Sequence, residues 1–95
     1  MTKLTIDQVK FNLGKVPGWS LTDDERALTQ SFTCTPFPKA MEFVNRVASY
    51  LEQDHDHAEI RIAGDRVSFV LSSKKANGLT GKDFAIAQAI NKLSR

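Results

Sequence analysis

Two alternating apolar runs, residues 58–63 and 66–71, are separated by Gly64-Asp65. A glycine-containing two-residue turn joins antiparallel strands in one defined register. That register sets Ala63 against Arg66, Ile62 against Val67, Ile60 against Phe69 and Ala58 against Leu71. In the last three pairs all six side chains are apolar and share one face. A slip of one residue would turn the whole set to solvent, so the register is enforced by burial. Continued outward, it brings His57 opposite Ser72, Asp56 opposite Ser73 and His55 opposite Lys74. The chain must supply a cover for the apolar face.

The cover is helical. Phe37, Ala40, Met41, Val44, Val47, Ala48 and Leu51 recur at the i, i+3, i+4, i+7 spacing of a helix with one buried stripe, running to about Glu52. Pro38 fits the first turn, where an amide has no intrahelical partner. A last helix starts at Thr80, with Asp83 three residues on as a box-like cap, and turns Ile86, Ala87, Ile90 and Leu93 inward. At the other end Thr5-Ile6-Asp7-Gln8 has capping-box form, Leu4 and Val9 can staple across it, and Gly14 is a natural stop. Ile6, Val9 and Leu13 share the packing face of that first helix. Pro17-Gly18 reads as a turn, Trp19 as the start of a strand, and Thr22-Asp23-Asp24-Glu25 as a polar turn. The following strand places Leu28, Gln30, Phe32 and Cys34 on one face. The order is α-β-β-α-β-β-α. This is an α+β fold, a four-stranded antiparallel sheet with three helices packed on one face, in a single domain over residues 1–95.

Composition excludes several classes. With 41% hydrophobic and 25% charged residues the chain reads as a soluble globular protein, not a disordered one. Its longest apolar runs are a few residues, too short for a membrane span, and the opening residues lack the apolar stretch of a secretion signal. A formal net charge of +2 is too small to imply nucleic acid as a partner. One cysteine, Cys34, has no internal partner, and this fits a cytoplasmic location; it reads as an inert, half-buried thiol. Trp19 reads as core or interface.

Beyond the pattern, particular residues carry a resemblance. They are Gly18-Trp19, Phe32, Phe37, Ala40-x-x-Phe43, Arg46-Val47-Ala48, Glu52, His57-x-Glu59, Val67, Gly78-Leu79-Thr80, Asp83 and Ala87. In this set the chain resembles the pterin-4a-carbinolamine dehydratase family, also known as a dimerisation cofactor of a homeodomain transcription factor. Working dehydratases of the family carry His-His-Pro, a downstream aromatic, a third histidine and an aspartate. Here these positions hold Asp56, His57, Ala58, Gly64, Lys74 and Asp83.

Dehydrating a 4a-hydroxypterin needs a proton delivered to the departing hydroxyl and another taken from the ring nitrogen. Histidine suits both because its unperturbed pKa of about 6.5 lies near neutrality; free lysine at about 10.4 and aspartate at about 3.9 do not. The two substitutions therefore imply a degenerate site at Asp56, His57, Lys74 and Asp83, with Asp56 and Lys74 expected to form an ion pair. For Asp83 the cap explains the residue without catalysis. Lys74-Lys75 reads as a solvated pair at a strand end.

The run Asp54-His55-Asp56-His57 invites a metal reading, but metal sites usually draw ligands from separated segments, and no metal or cofactor is assigned. The resemblance implies a scaffold that no longer dehydrates and binds protein instead. It is most similar to the dehydratase-like Rubisco assembly factors of α-carboxysomes, a chaperone role in carbon fixation with the Rubisco large subunit as partner. The alternative is an active 4a-hydroxytetrahydrobiopterin dehydratase using His57 with help from Asp56, His55 or Lys74. The resemblance also implies a homodimer joined at a sheet edge, and tetramers through helices.

Overall fold

The computed structural model describes residues 3–53 and 58–94. Its elements follow the expected order: α1 (Ile6–Leu13), β1 (Ser20–Leu21), β2 (Leu28–Thr33), α2 (Phe37–Gln53), β3 (Glu59–Ala63), β4 (Arg66–Leu71) and α3 (Gly81–Leu93). The four strands form one antiparallel sheet in the order β1-β2-β4-β3. The hairpin register is the one the turn dictates: Ala63 faces Arg66, Ile62 faces Val67, and Ile60 faces Phe69. Gly64 takes φ 62°, a left-handed conformation that glycine adopts without a Cβ clash.

Val67, Phe69 and Leu71 of β4 are fully buried under the helices, together with Leu28 of β2. Ile62 departs from expectation at 38% exposed, because β3 is the outermost strand. The opposite face of the sheet carries hydroxyls, and Ser31 and Ser68 meet at 2.8 Å across the β2–β4 ladder.

Helix α2 has the predicted length but a different orientation. Its buried residues are Ala40, Phe43, Val47 and Leu51, while Phe37 is 50% exposed, Met41 is 37% exposed and Ala48 is exposed. At about 100° per residue the buried stripe is rotated by roughly 60° from the predicted one. Phe43 supplies the reason. Its ring packs edge-on against the half-buried Phe32 at 5.2 Å and the buried Phe69 at 5.6 Å, and this aromatic cluster outweighs the burial of Met41 and Ala48.

Helix α1 carries the expected capping box between Thr5 and Gln8, and Gly14 caps its end, in a right-handed conformation. Val9 is buried, but Ile6 is 43% exposed and lines a cleft instead of packing on the sheet. Trp19 immediately precedes the short β1 and is a core residue. Its indole N–H donates to Asn91 Oδ1 at 2.9 Å, and its ring lies 6.4 Å from that of Phe69. Cys34 is a half-buried free thiol at the edge of the core.

Candidate functional site

The predicted outward extension of the hairpin fails on the β4 side. Strand β4 stops at Leu71, and residues 73–78 close a loop on themselves. Ser73 N–H donates to the Gly78 carbonyl at 2.9 Å, and Gly78 N–H to the Ser73 carbonyl at 3.3 Å. Ser73 is thus paired with Gly78, and Lys74, expected to face His55, opens a 3-10 turn over Lys74–Ala76. Asn77 ends that turn at φ 55°, ψ 44°, a region asparagine tolerates better than most side chains.

The loop is fastened from below by α3. Asp83 is 4% exposed, and its Oδ2 accepts from Thr80 N–H at 2.9 Å, Ser73 Oγ at 2.9 Å and Thr80 Oγ1 at 3.3 Å. Thr80 and Asp83 form the anticipated capping box. Ser73, which sequence reasoning missed, extends it into a clamp, and this bond draws the chain away from the sheet after Leu71.

Lys74 and Lys75 are both exposed, on a 3-10 turn rather than at a strand end. Two shallow clefts meet at Lys74. One, of about 190 Å³, is lined by Ala58, Glu59, Val70, Ser72 and Lys74. Ala58 and Lys74, which the resemblance sets at the family's proline and third histidine, therefore line one cleft. The other, of about 290 Å³, lies between Lys74 and the turn 22–27, with Asp24, Arg26, Ser72 and Asn77 in its walls. Arg26 is more than forty residues away in sequence, and no local signal connects it to Lys74. Asp83 lines neither cleft.

Gly64 sits in the hairpin turn at the other end of β3 from Ala58, roughly 20 Å away at a strand rise of about 3.4 Å per residue. His55, Asp56 and His57 lie outside the described residues, and so does the expected Asp56–Lys74 ion pair. Among the described residues no group of three His, Cys, Asp or Glu side chains is placed to hold a metal ion. Asp24 is the described carboxylate with a clear shift. The Thr22 hydroxyl, at 2.7 Å, and then the Arg26 amide, at 3.1 Å, hold it below its ordinary value, and the Arg26 charge adds to this.

The family profile for pterin 4 alpha carbinolamine dehydratase matches residues 2–93. The chain belongs to that family. A relative from Chloroflexus aurantiacus bearing the dehydratase name is 37% identical over 93 residues, covering 98% of each chain. One from a Cyanothece strain is 34% identical over 96 residues, covering 100% of this chain and 97% of its own. Among solved structures, a transcriptional coactivator/pterin dehydratase from Brucella melitensis superposes with a TM-score of 0.95 at 30% identity. That match covers 99% of this chain and all of the other. A pterin dehydratase-like protein identified as a RuBisCO assembly factor in the α-carboxysome shares the fold, with a TM-score of 0.71 at 17% identity over 81% of this chain and 89% of its own. No helix among the described residues is long and apolar enough to cross a membrane.

Proposed function

We propose that this member of the dehydratase family has lost the dehydration reaction and works by binding protein. The observation that carries this reading is the state of the family's site. Lys74 occupies the third histidine position on an exposed turn, and the retained aspartate, Asp83, is committed to Thr80 and Ser73 in a buried cap. Imidazole is the side chain whose reference pKa lies near neutrality, and neither lysine nor aspartate as a residue type shares that property. With Asp56 in place of the first histidine, His57 is the one imidazole left at the three histidine positions.

The binding surface is the apolar strip that α2 leaves uncovered, Phe37, Met41 and Ala48, beside its buried stripe. In the assembled protein this strip is the seam for tetramers or for a partner's helix, and the open edge of β3 is the seam of a homodimer. An uncovered edge of five residues invites pairing with a second copy. The Rubisco large subunit is the specific partner proposed, with a cytoplasmic site of action, on fold analogy to the α-carboxysome assembly factor alone.

Dehydratase activity is the second reading. It is favoured by the dehydratase names of relatives at 34–37% identity over nearly the whole chain. A turnover assay on 4a-hydroxytetrahydropterin separates the two. Background rates for the wild type, with activity gained by Asp56→His combined with Lys74→His, support the first. Rapid turnover lost in His57→Ala establishes the second. Failure of the tagged protein to retain the Rubisco large subunit from its host would remove that partner.

A further inference from the structure

We propose that the cleft between the turn 22–27 and the loop 73–78 is a binding site for a phosphoryl group. Four donor-bearing side chains line it: the Arg26 guanidinium, the Lys74 ammonium, the Ser72 hydroxyl and the Asn77 amide. None of the four makes a side-chain hydrogen bond or ion pair among the described residues. A phosphoryl group carries about −1.5 to −2 charges at neutral pH and presents three acceptor oxygens. A guanidinium fork meets two such oxygens at once, and a lysine adds a compact point charge from the opposite wall. At about 290 Å³ the cleft admits the group together with part of whatever carries it.

The backbone of both walls is fixed by hydrogen bonds, so the ordering cost of binding is confined to the side chains. Lys74 and Asn77 ride on the loop closed by the Ser73–Gly78 pair and clamped to Asp83. Arg26 rides on a turn closed by Thr22 N–H to the Ala27 carbonyl at 3.0 Å and by Asp24 Oδ1, which holds the Arg26 amide.

Asp24 is the acid in the cleft, and its charge opposes an anion. Its Oδ1 is nevertheless what shapes the turn, accepting from Thr22 and Arg26. Asparagine keeps an acceptor oxygen there and removes the charge, so Asp24→Asn separates the two effects. The site does not depend on the protein-binding reading, since it requires neither His57 nor the α2 strip.

The test is a titration of the folded chain with inorganic phosphate, followed by two-dimensional amide NMR at constant ionic strength. Saturable shifts are expected at Arg26, Ser72, Lys74 and Asn77, with an affinity in the millimolar range. Lys74→Gln and Arg26→Gln should each weaken binding by about two- to fivefold, as for exposed charge pairs. Lys92→Gln, an exposed cation on α3, should leave it unchanged, and Asp24→Asn should tighten it by about twofold or more. The same spectra report whether each variant is folded. Glycerol phosphate and a phosphoserine peptide then distinguish the source: equal binding of the small ester and phosphate assigns a small molecule, and tighter binding of the peptide a modified protein. Shifts absent at tens of millimolar, or scattered over many lysines and indifferent to Lys74→Gln (an adventitious ion only), would overturn the site.

Discussion

Replacing Asp83 with alanine removes the acceptor shared by Thr80 N–H, Ser73 Oγ and Thr80 Oγ1. The consequences differ for each donor. Thr80 is 1% exposed, so loss of the bond from its amide to Asp83 costs about 1–3 kcal/mol. Ser73 Oγ keeps Thr80 Oγ1 at 3.2 Å and is not orphaned. Loss of the cap and of a negative charge in the first turn of α3 overlaps with the amide term and adds about 0.5–1 kcal/mol. The expected cost is about 2–3 kcal/mol, which for a domain this size lowers Tm by about 10–20 °C. Asp83→Asn keeps an acceptor for Thr80 N–H and should lose only about 1 kcal/mol. Urea unfolding followed by Trp19, the single tryptophan and a core residue, reads both numbers. Equal losses for Ala and Asn, or an alanine cost below about 0.5 kcal/mol, would refute the assignment of Asp83 as a buried clamp.

Three further outcomes follow from the same structure. Gly18→Ala should cost about 2–4 kcal/mol: φ is 88°, and a Cβ there runs into the Gln30 amide, breaking its 3.0 Å bond to Asn91; introducing Gln30→Ala first should reduce the penalty in chemical denaturation to the backbone part. Phe37→Ser with Met41→Ser should lower the assembly state in sedimentation while leaving the circular dichroism unchanged, because both side chains are substantially exposed in the single chain; unchanged assembly would clear the α2 strip of that role. Asp24 has a folded pKa below its ordinary 3.8, so its contribution is present above the unfolded value and lost as pH falls through the folded one. Acid unfolding of Asp24→Asn should therefore be shallower than wild type below about pH 4, and identical slopes would contradict the shift.

Local chemistry made much of the fold legible. The 64–65 turn and its flanking alternation dictate the β3–β4 register, and the boxes at Thr5 and Thr80 mark two helix starts; each depends on residues a few positions apart. The family itself was legible in residues scattered from Gly18 to Ala87, and its profile matches residues 2–93. Tertiary structure alone decided the rest. The face that α2 buries was settled by Phe43 meeting Phe32 and Phe69, a contact among three distant segments, so that apolar residues at helical spacing were left outside. The end of β4 was settled by Ser73 reaching Asp83 ten residues on, against a hairpin register that, continued outward, would have carried the pairing further. The approach of Arg26 to Lys74 required two loops at the same end of the sheet. Periodicity reports which residues can share a face; which of two apolar faces is buried, and which loops become neighbours, depends on the competition for one core and on chain ends that only the packed sheet brings together.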